Sequence, residues 1–130
     1  MAPRSEEYQR AADLRAALRQ FLRVSERVAR SNGLTPQRYL LLLMIRGAPG
    51  ERSTVTELAR RLQLAQSTVT ELVRRAELAG LIRREQSAQD GRVAYLRLTP
   101  EAERRLAAVV TELGPEHRRL ADVVAEKPVT

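Results

Sequence analysis

The stretch "TVTELARRLQLAQSTVTELVRRAELAGLIRRE", Thr54 to Glu85, decides the fold. Val55, Leu58, Ala59 and Leu62 fall at i, i+3, i+4 and i+7, and Val69, Leu72, Val73 and Ala76 repeat that spacing. Each set lines one face of a short helix. Only "QLAQ" separates them, so the two helices must turn sharply against each other, which is a helix-turn-helix layout. Gly80 closes the second helix, and "LIRREQ" then reads as a strand.

Downstream, "SAQDGRVAYLRLT" (Ser87–Thr99) places Asp90-Gly91 before an alternating Val-Ala-Tyr-Leu-Arg-Leu run, the pattern of a β-hairpin with Leu96 and Leu98 turned to the core. Two turns fit. A two-residue Asp90-Gly91 turn would aim Arg92 along the strand, whereas a longer Ser87–Gly91 loop would put it at the tip.

Upstream, "LTPQRYLLLLMIRG" starts a helix with Thr35 as N-cap and Pro36 in the first turn, and ends it at Gly47. Leu40 to Ile45 is apolar on every face, so this helix is expected to be central and buried. "GAPGERS" reads as a loop.

Long helices flank this middle. The first runs from about Ser5, a candidate N-cap, to Ser31, with a stop at Asn32-Gly33 and an apolar stripe of Tyr8, Ala11, Leu14, Leu18, Phe21, Leu22, Val28 and Ala29. At 1.5 Å per residue it is roughly 40 Å long, so it spans or overhangs a compact domain of this size. Thr99-Pro100 repeats the cap-plus-proline device and starts a helix carrying Ala102, Leu106, Val109, Val110 and Leu113; Gly114-Pro115 breaks it before a last short helix near Glu116–Ala125. The expected fold is one mainly α domain over 1–130 with a small β-hairpin: a winged helix-turn-helix core at 35–99, flanked by helical segments at 5–31 and 100–126.

Composition narrows the function. The 130 residues are 43% hydrophobic, 30% charged and 3% aromatic, as in an ordinary globular protein with an aliphatic core. There is no cysteine, which excludes disulfides and thiol sensing, and a single histidine argues against a zinc site; no cofactor is expected. No window is apolar enough to span a membrane and no signal-peptide h-region is present, so a cytoplasmic location is expected. A net charge of +7 favours an anionic partner, nucleic acid first, although a solubilising surface charge gives the same number.

On the second short helix Ser67, Glu71 and Arg74 lie opposite the apolar face, with Thr70 and Arg75 beside them. Small hydroxyls near a helix start, followed by arginines, suit approach to phosphates and base edges. A plain solvated face has the same residue types, and this helix alone does not choose. The hairpin shifts the balance, because a winged helix puts its helix in the major groove and its hairpin tip over the neighbouring minor groove. There an arginine meets a strong negative potential. Asp90, paired with Arg92 or Arg84, would hold a guanidinium in place.

With "LTPQRYLLLLMI", the Thr54–Glu85 stretch, the Asp-x-Arg of "QDGR" and "VAYLRLTPEAE" in this order and spacing, the chain resembles the MarR family of bacterial winged-helix transcriptional regulators over roughly Leu34 to Leu106. The resemblance implies a homodimer built from the first and last helices, bound to a pseudo-palindromic operator in double-stranded DNA. It implies that Gln66–Ala79 reads the major groove, with Gln66, Ser67, Thr68, Thr70, Arg74 and Arg75 as candidate contacts. Arg92 would reach the minor groove from a wing comprising Arg84, Asp90, Gly91 and Arg92, with Asp90 orienting it. Many members release DNA on binding a small amphipathic or aromatic effector, which makes a ligand-released repressor the expected form.

Departures from the family pattern are Ala65 in place of a capping serine, Glu71 where a basic residue is frequent, Ala102 in place of a common glycine, and short terminal helices. A pocket at Leu18, Phe21, Tyr39 and Met44 is conceivable, with ordinary core the favoured reading of those residues. Dimerisation also follows from the two apolar stripes flanking a compact core; the competing reading packs them on their own core. The alternative function is a winged-helix module that binds protein or RNA. Nothing supports an enzyme: Glu101 and Glu103 suit a helix N-terminus, and His117 is expected at the surface near a helix start.

Overall fold

The computed structural model describes residues 1–125; Glu126, the last residue of the expected 100–126 segment, lies outside the described residues. The elements are α1 (Ser5–Ser31), α2 (Pro36–Arg46), α3 (Val55–Leu62), α4 (Gln66–Leu78), β1 (Ile82–Gln86), β2 (Ala94–Leu98), α5 (Pro100–Glu112) and α6 (Gly114–Ala125). The fold is mainly helical with one antiparallel hairpin, in which Ile82 faces Leu98 and Gln86 faces Ala94.

Threonine hydroxyls start three of the helices. Thr35, Thr54 and Thr99 accept the backbone N–H of Arg38, Glu57 and Ala102, satisfying donors that the helix itself cannot. Thr99 does more, since its hydroxyl also donates to the Gly80 carbonyl at 2.6 Å and ties the start of α5 to the end of α4. Two starts differ from expectation. The N-cap of α1 is Arg4, without a side-chain cap, rather than Ser5, and α4 begins after an uncapped Ala65.

Helices α1, α3 and α4 stop by one device. Leu34 donates to Ala29, Leu64 to Ala59 and Leu81 to Ala76, while the residue before each donates to Arg30, Arg60 and Glu77. This is the Schellman pairing, which needs a left-handed residue after the helix. Gly33 and Gly80 supply it at φ +75° and +76°, but in the helix-turn-helix corner the residue is Gln63 at φ +56°.

The core gathers around α2, whose Leu41, Leu42 and Ile45 are fully buried together with Leu58, Val69, Val73, Leu96 and Val109. Leu96 and Leu98 both face inward, as their alternation requires. Leu40, expected buried with its neighbours, is exposed, and Leu43 and Met44 are only partly buried, so α2 keeps part of its surface outside the core.

The segment read as a loop after α2 holds a short 3-10 turn (Pro49–Glu51) and a one-residue bridge. Ser53 and Leu96 exchange backbone hydrogen bonds of 3.2 and 2.7 Å, which protects the open edge of β2. Arg52 then lies 3.9 Å over the Tyr95 ring.

The terminal helices pack on one another as well as on the core. Arg10 on α1 donates to the Val124 carbonyl on α6. His117, expected at the surface, is half-buried and stacks on Phe21 with ring centroids 5.5 Å apart. Even so, Tyr8, Leu18 and Leu22 on α1, Val110 on α5 and Val124 on α6 remain exposed.

Candidate nucleic-acid interface

Val69, Val73 and Ala76 anchor α4 in the core, which turns Gln66, Ser67, Thr68 and Thr70 to solvent in its first turns. Gln66 also braces the corner, donating from Nε2 to the Thr56 hydroxyl of α3 at 3.2 Å. Among the described residues Ser67, Thr68 and Thr70 have no side-chain hydrogen-bond partner, which leaves their hydroxyls available to a ligand.

Arg74 and Arg75 are exposed but not free. Both donate to Glu71: Arg74 through Nε at 2.9 Å and Nη2 at 2.7 Å, Arg75 through Nε at 3.0 Å. Hydrogen bonds from Arg74 and then Arg75 hold the Glu71 carboxyl down at about 2. At neutral pH the helix therefore carries a fixed three-residue ion cluster on its outer face. The i, i+3 and i+4 spacing that makes it was present in the sequence.

The hairpin tip settles the choice of turn. Ser87 N–H donates to the Val93 carbonyl at 2.9 Å, so the connection is the longer loop rather than a two-residue turn. The Ser87 hydroxyl accepts from the N–H of Gln89 and of Asp90, and Asp90 Oδ1 accepts the N–H of Arg92 at 3.0 Å. The loop is thus folded by two side chains acting as backbone surrogates. Gly91 is not in the left-handed region, so this loop closes without a positive-φ residue.

Arg92 stands at the tip with its side chain 93% exposed, its Nε 3.3 Å from Asp90 Oδ1. The same carboxylate oxygen thus shapes the loop and steers the guanidinium.

Arg84 is not part of that pair. It makes a forked contact with Glu77 of α4 at 3.0–3.1 Å and braces the wing against the helix. Sequence spacing could not show this, because it depends on how β1 crosses α4. Glu85 serves as a second brace, pairing with Arg97 across the hairpin and with Arg52 at 3.7 Å.

The four residues considered for a ligand pocket do not converge. Leu18 lines a shallow groove on α1 with Arg15, Arg19 and Leu22, while Phe21 lines a separate cleft of about 150 Å³ against Leu120 and Val123 of α6. Tyr39 is core, its phenol pushed up by burial against the opposing effect of a hydrogen bond with Ser25, and Met44 packs against the core from its edge. Among the described residues no group of three or more histidine, cysteine or acidic side chains could hold a metal ion, and no helix is long and apolar enough to cross a membrane.

A two-helix corner followed by a braced two-stranded wing defines a winged-helix protein. The model of the MarR family matches residues 32–93, the segment from the end of α1 to the far side of the wing loop. Over that segment the chain is similar to the MarR family.

Solved structures share the architecture across nearly the whole chain. AbsC, a MarR family transcriptional regulator from Streptomyces coelicolor, is 21% identical with a TM-score of 0.75, over 97% of this chain and 85% of that one. Sco3205, a MarR family transcriptional regulator from the same organism solved in complex with DNA, is 23% identical with a TM-score of 0.72, over 98% and 80%. A cysteine-to-serine variant of MarR from E. coli, complexed with operator DNA, is 20% identical with a TM-score of 0.70, over 85% and 82%. No curated protein sequence gives a significant match.

Proposed function

We propose that the protein is a homodimeric, sequence-specific regulator that binds double-stranded DNA, with α4 in the major groove and the wing tip over the adjacent minor groove. The observation that carries this reading is Arg92: a side chain 93% exposed at the loop tip, held by an aspartate that also folds the loop. A guanidinium displayed this way suits a narrow groove of negative potential. The free hydroxyls of Ser67, Thr68 and Thr70 on the first turns of α4 suit phosphates and base edges. DNA-bound neighbours of the same fold support the partner class.

The dimer is supported by the apolar side chains left exposed on the terminal helices, Tyr8, Leu18, Leu22 and Val124 among them. Joining two copies there would let the two α4 helices meet successive major grooves, about 34–36 Å apart. Repression is the direct consequence of occupying a promoter. Effector release is not part of the proposal, because none of the cavities described above gathers Leu18, Phe21, Tyr39 and Met44.

One observation favours the second reading, a module that docks on protein or RNA: Leu78, near the end of α4, is 76% exposed. Fluorescence anisotropy separates the two. Wild type should bind random-sequence duplex DNA at low salt, with log K falling about 0.9 per phosphate neutralised. On a selected operator, Arg92→Ala should weaken binding by about 1–3 kcal/mol. Operator affinity unchanged in Arg92→Ala removes the wing from the reading, and no duplex binding at low salt removes the reading itself.

A further inference from the structure

Residues 15–31 of α1 have more net positive charge than the segment assigned to DNA reading. From Gln66 to Arg92 five arginines face four acids, a net of +1, and each arginine has an acidic partner: Arg74 and Arg75 with Glu71, Arg83 with Glu85, Arg84 with Glu77, Arg92 with Asp90. Residues 15–31 of α1 hold five arginines and one glutamate, a net of +4 out of the total +7.

Arg15, Arg19, Arg23, Arg27 and Arg30 recur at intervals of four, four, four and three, so they fall within about 120° of one another around the helix. All five are exposed, and among the described residues none makes an ion pair. They form a ridge about 22 Å long, opposite the face that Ser25, Val28 and Ala29 bury.

Unpaired like charges at this spacing repel and destabilise an isolated helix. A second copy centred on the ridge would add to the repulsion, because a two-fold contact on that axis sets +4 against +4. An anion relieves it. Arginine forks match phosphate oxygens two at a time, and 22 Å covers about two-thirds of a turn of duplex DNA. Helix α1 packs on α2, α5 and α6, so the ridge is separate from α4 and the wing.

We propose that the Arg15–Arg30 ridge is a second, sequence-independent binding surface for the phosphate backbone of duplex DNA. With α4 and the wing engaged on one segment, the ridge holds another, and the protein bridges two duplexes. The ridge itself stands on α1 alone; bridging also rests on the reading of α4 and the wing.

The test uses the full chain and random-sequence 30-base-pair duplexes, half carrying a donor and half an acceptor fluorophore, at low salt. Wild type is expected to bring donor and acceptor together. The R19A/R23A/R27A variant is expected to bind single duplexes without bridging, with the salt slope lowered by up to about 2.7. The R19Q/R23Q/R27Q variant should behave the same way, and circular dichroism confirms that both are folded. The R74A/R75A/R92A variant should retain ridge binding and lose bridging.

Bridging and salt slope unchanged in the ridge variants overturn the proposal and leave the reading of α4 intact. Loss of binding in the ridge variants with wild-type binding in R74A/R75A/R92A upholds the ridge and refutes α4. Ridge variants that become monomers by light scattering, or wild type that binds polyglutamate through the ridge but no duplex, also overturn it.

Discussion

Glu71→Gln is the most revealing single change on the candidate DNA surface. In the wild type one carboxylate occupies two guanidiniums, Arg74 at 2.7 Å and Arg75 at 3.0 Å, on the exposed face of α4. Phosphate must compete with that carboxylate for both arginines. The amide keeps the shape, removes the charge and releases them.

Each additional phosphate neutralised steepens the dependence of log K on log salt by about 0.9, which at 0.1 M salt is worth about eightfold in affinity. One released arginine therefore gives about an eightfold gain for random duplex, and two about sixtyfold, with the slope up by about 0.9 or 1.8. Anisotropy titrations across a salt series read both quantities on the same samples. If Glu71 accepts from a cytosine amino group, the variant should also discriminate less between operator and random DNA. An unchanged slope, or weaker binding to random duplex, would refute the claim that the cluster restrains these arginines.

The carboxyl titration provides an independent check on the same cluster. Glu71 is held at about 2 in the fold against the usual 4.5, so the cluster's contribution is present above about pH 4.5 and is lost as pH falls toward 2. Its side-chain carbon resonance should titrate well below the usual 4.5, and a midpoint near 4.5 would show that the pairs do not persist in solution. Gln63→Gly should raise stability by about 0.5–1 kcal/mol, because a left-handed residue at φ +56° closes the helix-turn-helix corner where glycine carries no Cβ penalty. Thermal melting reads it as a rise of a few degrees; a lower melting temperature would mean the Gln63 side chain stabilises that corner.

Most of the fold could be read from local signals. Thr35-Pro36 and Thr99-Pro100 start their helices where the cap chemistry says, Gly33 and Gly80 end theirs, and the paired apolar spacings locate α3 and α4. Local signals failed where a contact depends on how elements cross. The Arg84–Glu77 brace, the Ser53–Leu96 bridge and the Phe21–His117 stack each join segments whose relative placement no spacing records.

The wing loop stayed open between two turns for a different reason. Asp-Gly is a strong hairpin signal, but here Ser87 and Asp90 fold a longer loop with their side chains, and Gly91 needs no positive φ. Arg74 and Arg75 stand at i+3 and i+4 from Glu71, and reading Glu71 only as a departure from a frequent basic residue missed that it restrains both of them. The arginine ridge on α1 is likewise written in the four-residue spacing of Arg15, Arg19, Arg23 and Arg27, beside the apolar stripe of that helix.

DNA selection on the purified protein tests the central claim most directly, because it asks at once for partner, specificity and symmetry. Starting from random duplexes, the account expects a pseudo-palindrome whose half-sites lie about one helical turn apart. Enrichment of no motif, or of a single unpaired half-site, would contradict a homodimeric, sequence-specific reader built on α4 and Arg92.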